Sequence, residues 1–436
     1  MLAGMTRFLF ASMAAHGHVG PLLPVAGELL SRRHEVVWYT GEKVRSKVEA
    51  TGARYLPHVQ ARDVDGDAFD AEFPERVNKK GLARFRYDMR EIFIAAVPGQ
   101  VADLQSYVDD HGPDVIVAEP AMAAAASVLN KRLGLPYATV GIGPLMMRSS
   151  DTAPFGLGLK PSSSPLGRLR NRSLDAVVQR TLFAAIDRDY RATAAKLGLD
   201  SVAGGVFDAA VSPYLFLQPT VPSFEYPRSD LPPQVRYVGP LLPPAPADYT
   251  PPPWWNELDG ERPVVLVTQG TVATDPQELL LPTLEALRTE PVQVIGVTGG
   301  ADPATLPPPP PNARVEAFVP FAPLLPRVSV MVTNGGYGGM HYALANGVPL
   351  VVVGATEEKP EAVARVNWSG VGIGFRRQRA RPTEVRSAIR RILTDRSYRD
   401  RAHAFAAECA RYGGRARAAE LLEELGSTRT PLVVTA

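Results

Sequence analysis

Between Val332 and Gly354 the chain reads VTNGGYGGMHYALANGVPLVVVG. Four glycines, Gly335, Gly336, Gly338 and Gly339, fall where an apolar strand pattern passes into a helix. Glycine costs backbone entropy, so a cluster of it serves either a tight turn or the close approach of something to the backbone. A helix start offers unpaired amides and a dipole equivalent to roughly half a positive charge, which suits a diphosphate. The second candidate for chemistry is a histidine with a carboxylate. His18 follows the apolar run Arg7–Met13, and Glu119 closes the run Asp114–Glu119. If neighbouring strands bring the two side chains together, the carboxylate fixes the imidazole tautomer and the other ring nitrogen acts as a base. The same two residues also read as a histidine capping a helix and an unrelated loop glutamate.

Other chemistries find less support. The sequence holds no G-x-x-x-x-G-K-[ST] phosphate loop, no G-x-G-x-x-G after a first strand and no G-x-S-x-G elbow. Kinase, dehydrogenase and serine-hydrolase readings lose ground accordingly. Gly370–Phe375 (GVGIGF) reads as a short strand. Asp63–Asp67 (DVDGD) lacks the full calcium-loop spacing and reads as a polar surface loop. His16-Gly17-His18 has no acidic or cysteine partner in a ligand pattern, so no metal site is expected.

The 436 residues suit two or three domains of about 100–200 residues. A formal net charge of +2 gives no basic face for nucleic acid, and Arg376–Pro382 reads as a solvated loop before a helix. The one cysteine, Cys409, excludes an intrachain disulfide and fits a reducing cytoplasm, the expected location. The first twenty residues read as a strand and turn, not as a signal peptide, and no apolar run reaches the ~18 residues of a membrane span.

Apolar strand runs alternate with helical patterns on both sides of a proline-rich stretch, Gly239–Trp255. On the left are Arg7–Met13, His34–Thr40, Asp114–Glu119 and Pro136–Ile142. On the right are Pro263–Gln269, Val292–Thr298, Val328–Asn334 and Pro349–Gly354. Continuous apolar strands between helices imply parallel sheets covered on both faces. The expected fold is α/β, two doubly wound Rossmann-like domains whose sheets face a central cleft. The expected boundaries are 1–238 for an acceptor-binding half, 239–256 for a stiff linker, and 257–436 for a donor-binding half. The terminal helices are expected to pack back on the first half. Ligands of such sheets bind beyond the carboxyl ends of the strands, where His18 and the glycine cluster both fall.

With these residues in place, the chain resembles the inverting nucleotide-sugar glycosyltransferases of GT-B fold, in the bacterial macrolide and natural-product branch. The resemblance runs through nearly the whole chain. AAHGHVGPLLPVAGELLSRRHEVVWYT resembles the opening strand, catalytic turn and helix of that family. It implies His18 as base, with Gly20 where the family has Asn and Glu119 where it has Asp. VEAFVPFAPLL resembles the start of the donor signature. It implies Phe318 stacking on the nucleotide base and Val319 in backbone contact, with Phe321 in place of Gln. In TNGGYGGMHYALANGVPLVVVGATEEKPEAVARV the family's diphosphate histidine becomes Asn334. Its ribose glutamate falls on Tyr342, with His341 beside it, and its sugar-contacting Asp-Gln pair becomes Glu358-Lys359. TQGT resembles the loop that touches phosphate, which implies a contact from Thr271.

The resemblance implies a hexose transfer from UDP-glucose, or a dTDP-sugar, to a hydroxyl of an apolar antibiotic, polyketide or phenolic compound. The sugar nucleotide is a co-substrate, and no cofactor or metal is required. Val140–Gly158 and Phe85–Val97 mix aromatic and aliphatic residues and resemble the acceptor-binding regions, with Met146, Met147 and Phe155 as candidate contacts. A monomer and a homodimer are both open. Two rival readings remain. One is a non-catalytic nucleotide-sugar-binding accessory protein, suggested by the changed donor residues. The other is an epimerase of the same fold, which would need further carboxylates such as Glu357 and Glu358. Lys359 is expected beside Glu358 or the donor.

Overall fold

The computed structural model describes residues 4–199, 204–244, 249–270 and 275–434. Among these, the first half builds a seven-stranded sheet in the order β3-β2-β1-β4-β5-β6-β7. Its strands are β1 (Arg7–Ala11), β2 (Glu35–Tyr39), β3 (Arg54–Leu56), β4 (Val115–Ala118), β5 (Tyr137–Val140), β6 (Leu215–Gln218) and β7 (Val235–Tyr237). The second half builds a six-stranded sheet in the order β10-β9-β8-β11-β12-β13. These are β8 (Val264–Thr268), β9 (Gln293–Val297), β10 (Ala313–Glu316), β11 (Val330–Thr333), β12 (Leu350–Val353) and β13 (Gly372–Phe375). Every pairing in both sheets is parallel.

The strands are apolar throughout because both sheet faces are covered. Phe8, Phe10, Val36, Trp38, Val115 and Val117 enter one core. Their alternates Leu9, Ala11, Val37, Tyr39, Ile116 and Ala118 enter another on the opposite face. The second sheet divides likewise, with Leu266, Met331 and Val352 on one side and Val267, Val332 and Val351 on the other.

Each sheet reverses its winding once, between β1 and β4 in the first and between β8 and β11 in the second. Such switch points leave a crevice at the strand ends. Ala11 lies opposite Ala118, so the residues after β1 and β4 emerge side by side. Thr268 lies opposite Thr333 in the same way.

Five helices border these crevices or join the halves: α1 (His16–Val19), α2 (Leu22–Ser31), α3 (Tyr337–Ala345), α4 (Lys359–Ser369) and α5 (Arg415–Thr428). Helix α5 ends the chain's helical part yet packs on the first half. Its Leu421, Leu422 and Leu425 join the core of Phe8 and Trp38. Glu423 accepts from His34 Nε2 at 2.8 Å and from Arg32 Nη1 at 3.2 Å, and Arg415 pairs with Glu28 on α2 at 3.3 Å.

The seam between the halves is broader than the proline-rich stretch. Val221 and Phe224 precede that stretch but lie in the core of the second half. Trp255, within it, is buried in the same core, and Trp254 Nε1 donates to Glu316 at 2.8 Å. The end of the segment expected as a linker is therefore packed structure, because two adjacent indoles bury more surface than a solvated spacer tolerates.

Leu422→Ala tests the return of α5. The side chain is fully buried, so its truncation should lower stability by about 2–5 kcal/mol. Urea unfolding followed by circular dichroism measures this, and an unchanged transition would show that the helix adds nothing to that core.

Candidate active site

The first crevice holds the histidine and the carboxylate. A single turn, α1, follows β1 and carries His18, and Glu119 directly follows β4. His18 Nδ1 lies 2.8 Å from Glu119 Oε2. Glu119 has no exposed surface, and two backbone amides complete its satisfaction. Met13 N–H donates to Oε1 at 3.0 Å and Ala121 N–H to Oε2 at 2.8 Å. With Nδ1–H held by the carboxylate, Nε2 is the acceptor nitrogen, and it has no protein partner among the described residues. The imidazole keeps 21% of its side-chain surface, so a ligand can reach it. Burial opposes the imidazolium form, yet the Glu119 charge and hydrogen bond, with smaller contributions from Glu358 and Asp67, hold the His18 pKa above its ordinary value.

His16 points to a different partner. Its Nδ1 lies 2.6 Å from Asp67 Oδ2, and Lys43 Nζ bridges Asp65 and Asp67 at 2.6 and 2.9 Å. The Asp63–Asp67 segment is thus tied down by ion pairs and not a free polar loop. His16 and Lys43 pull the Asp67 carboxyl below its usual range against the effect of burial.

The second crevice holds the glycine turn. Gly335 has φ +94°, and a Cβ there would lie 3.1 Å from Val352 Cγ1, so conformation and space both demand glycine. Gly336 and Gly338 differ. Gly336 has an ordinary φ of −59°, with only Asn334 Oδ1, at 3.9 Å, near a built Cβ. At Gly338 nothing lies within 4 Å. Neither packing nor conformation requires those two glycines, and their bare backbone borders open space at the start of α3. Gly339 meets only ordinary contacts at 3.8 Å from Met331 and Phe321. Asn334 braces the turn: its side-chain amide donates to the Gln269 carbonyl after β8, and its Oδ1 accepts from Gly336 N–H at 3.4 Å. Thr271 lies outside the described residues.

Around this turn the expected donor contacts separate. Phe318 is 74% exposed, a bare aromatic face beyond β10, while Val319 is buried beneath it. Glu358 caps α4 and reaches toward the first half, where a Cβ on Gly143 would lie 3.8 Å from its Cγ. Burial first, then the neighbouring Glu357, raise the Glu358 pKa, while His18 pulls the other way across the cleft.

One expectation needs correction, and so does one branch of another. His341 is enclosed, with Nε2 bonded to Thr220 Oγ1 at 2.6 Å and Nδ1 to the Tyr337 carbonyl at 2.9 Å. Packed against Phe224 and Phe405, it joins the two halves and offers no nitrogen to a donor. Burial lowers its pKa to about 4, so it stays neutral. Lys359 pairs with Glu357 at 3.2 Å and Thr356 Oγ1 at 3.4 Å, not with Glu358. The helical turn at Glu358 sends successive side chains apart, and the lysine stem runs under Gly335 and Gly354.

Of the expected acceptor contacts, Met147 and Phe155 line a small crevice with Thr152, Tyr226, Glu361 and Arg365. Met146 is half-buried on the same loop and does not line it. Tyr342 is half-buried against Phe321. Glu225, Glu361 and Arg365, none of them singled out by sequence, meet at the seam between the halves. The Glu361–Arg365 spacing on one helix face was a readable signal; Glu225 carried none.

Comparison with known proteins agrees with this architecture. Residues 279–425 match the family model of the erythromycin biosynthesis protein CIII-like C-terminal domain. The chain is 46% identical to the 4'-demethylrebeccamycin synthase of Lentzea aerocolonigenes, over 96% of this chain and 99% of that one. It is 34% identical to UDP-glycosyltransferase 2 of Phaeomoniella chlamydospora, over 90% of each chain. The crystal structure of CalG4, the calicheamicin glycosyltransferase, superposes with a TM-score of 0.76 at 23% identity, over 98% of this chain and 99% of that one.

The His18 environment predicts a titration. Glu119→Gln removes the charge that offsets burial, so the His18 pKa should fall from above to below its ordinary value. In the parent the raised pKa contributes stability below the ordinary histidine pKa, and this is lost as pH rises through the raised value. NMR titration of the His18 ring measures the shift, and an identical midpoint in both proteins would remove Glu119 as its cause.

Proposed function

The chain belongs to the natural-product glycosyltransferases of GT-B fold, and from that premise we propose that it is an inverting enzyme that moves a hexose from UDP-glucose to a hydroxyl of an apolar aglycone. The observation that carries the reading is the His18–Glu119 pair, with a satisfied buried carboxylate on Nδ1 and a free Nε2 in a cleft opposite the glycine turn. The acceptor hydroxyl gives its proton to His18 Nε2 as its oxygen attacks the anomeric carbon. The bond from that carbon to the diphosphate oxygen breaks on the opposite face, and UDP leaves with both bonding electrons. Glu119 stabilises the imidazolium that results. A positioned base of this kind contributes about 10²–10⁴-fold.

The leaving diphosphate gains negative charge. Support for its place at the start of α3 comes from the open backbone at Gly336 and Gly338, together with the helix dipole. The bare backbone at Gly338 and the helix dipole supply the positive potential, the Gly336 amide being turned to Asn334, so the reading includes transfer without a divalent metal. In this reading Phe318 stacks on the nucleotide base, Val319 supplies backbone contacts to it, and Glu358 accepts from sugar hydroxyls. The UDP donor is supported by the name of the Phaeomoniella relative, and a natural-product acceptor by that of the Lentzea one, a 4'-demethylrebeccamycin synthase. Met146, Met147 and Phe155 are the proposed acceptor contacts.

Two measurements test this. Saturating UDP, at about 100 times its dissociation constant, should stabilise the protein by about 2.7 kcal/mol with EDTA present. Absence of any thermal shift with UDP or dTDP would sink the donor site. His18→Ala should abolish transfer and leave UDP affinity nearly unchanged, because base and diphosphate site belong to different halves. Turnover within tenfold of the parent would show that His18 is not the base.

A further inference from the structure

Away from the reacting centre, Glu225, Arg228, Glu361 and Arg365 form a buried cluster of charges. Arg365 is 1% exposed, and its Nε and Nη2 donate to the two oxygens of Glu225 at 2.9 and 3.0 Å. Its Nη1 donates to Glu361 Oε2 at 2.8 Å, and the guanidinium lies 4.3 Å from the centre of the Tyr226 ring. Arg228 Nη1 donates to Glu225 Oε2 at 3.4 Å. Two carboxylates balance two guanidiniums, which is the condition for burying such a set.

What these charges grip is a loop. At its start, Leu145 N–H donates to Glu225 Oε1 at 3.0 Å and the Leu145 carbonyl accepts from Arg228 Nη2 at 3.0 Å. At its end, Gly156 N–H and Gly158 N–H both donate to Glu361 Oε1, at 2.8 and 2.7 Å. The carbonyl between them, Leu157, accepts from Arg376 Nη1 at 2.7 Å. Gly156 and Gly158 have φ of +94° and +59°, a shape that turns both amides to one oxygen and that glycine adopts without strain. The loop carries Met146, Met147 and Phe155. Glu361 stands on the first turn of α4, beside the Glu358 cap.

We propose that Glu361, held in place by Arg365 and Glu225, straps the acceptor-side loop 145–158 to the sugar-side helix, so that acceptor and sugar are positioned by one unit. The inference rests on the acceptor and donor assignments proposed above. Glu361 shares the crevice of Met147 and Phe155, but its carboxylate oxygens are taken by the two glycine amides and Arg365, so it acts through the loop, as a positioning residue. Plain structural glue would need only an apolar contact of similar volume, whereas two convergent amides on one carboxylate oxygen set the loop's shape.

The test compares Glu361→Ala with Glu361→Gln, which keeps an oxygen for the two amides. Hydrogen exchange of peptides over 145–158 reads the loop. Calorimetry reads UDP affinity, and turnover of 4-methylumbelliferone with UDP-glucose reads KM and kcat. The alanine variant loses the loop's two charge-assisted bonds together with the Arg365 ion pair, so exchange at Gly156 and Gly158 should quicken by about tenfold or more, and acceptor KM should rise by a similar factor. UDP affinity and kcat should stay near the parent values, and the glutamine variant, which keeps an oxygen for the amides but turns an NH2 to Arg365, should lie between the alanine variant and the parent in both exchange and KM. Exchange as slow as in the parent overturns the strap, as does a freed loop with unchanged KM. UDP affinity falling in step with KM also overturns it, since that marks a general collapse of the cleft. A parent that binds no UDP, or leaves 4-methylumbelliferone unmodified, fails the donor or acceptor reading instead, and the exchange comparison alone then judges the strap.

Discussion

A carboxylate taken out of water must be satisfied by donors on every side, and three such carboxylates organise this protein. Glu119 is bonded by two backbone amides and His18. Glu225 is bonded by the Leu145 amide, Arg228 and Arg365. Glu361 is bonded by two glycine amides and Arg365. An unmet buried charge is strongly destabilising, so each carboxylate fixes the groups around it as firmly as they fix it. The first sets a ring tautomer, the second joins the two halves, and the third shapes a loop. The parallel sheets bring their strand ends to the cleft; the buried carboxylates decide which atoms face each other there.

Much of the frame was legible because it is local. Strand runs such as Val264–Thr268 are apolar on both faces, and that pattern alone implies a covered parallel sheet. The glycine cluster and the ends of β1 and β4 were legible for the same reason, and the observed register between Ala11 and Ala118 brings His18 and Glu119 within hydrogen-bond range. What could not be read lies in pairings across long separations. His341 looked available beside Tyr342, yet Thr220, far earlier in the chain, takes its Nε2. Asp67 gave no hint of His16, nor Glu225 of Arg365. Trp254 and Trp255 stood in a proline-rich stretch whose composition argued for a spacer, and their burial is a tertiary override of that composition.

The residues that depart from the family's pattern make local physical sense. Asn334 uses its amide and its carbonyl oxygen to brace the ends of β8 and β11, which leaves the backbone beyond it to face the cleft. Lys359 sits at a helix start, where the dipole opposes a cation by about 0.3–1 kcal/mol. Glu357 offsets that charge at 3.2 Å, and it does so from a left-handed backbone with φ +56°. A non-glycine residue in that region costs of order 1–3 kcal/mol and persists only where its surroundings demand it. The strained turn separates Glu357, paired with the lysine, from Glu358, which faces His18 across the cleft.

The longer carboxylate at position 119 follows the same logic. A glutamate reaches farther than an aspartate by one methylene, and a loose extra bond would cost the histidine its orientation. Here the slack is absent. Glu119 sits where the chain leaves β4, and its two oxygens divide the available donors. Oε1 is taken by the Met13 amide where the neighbouring strand passes into its loop, and Oε2 by the Ala121 amide of its own turn. His18 then meets a carboxylate already fixed in two directions at 2.8 Å. Because one of those amides belongs to the same loop that carries His18, a shift of the loop moves imidazole and carboxylate together. The pair is therefore held as a unit by backbone atoms, and the side-chain length matters less than the two amides that bind it.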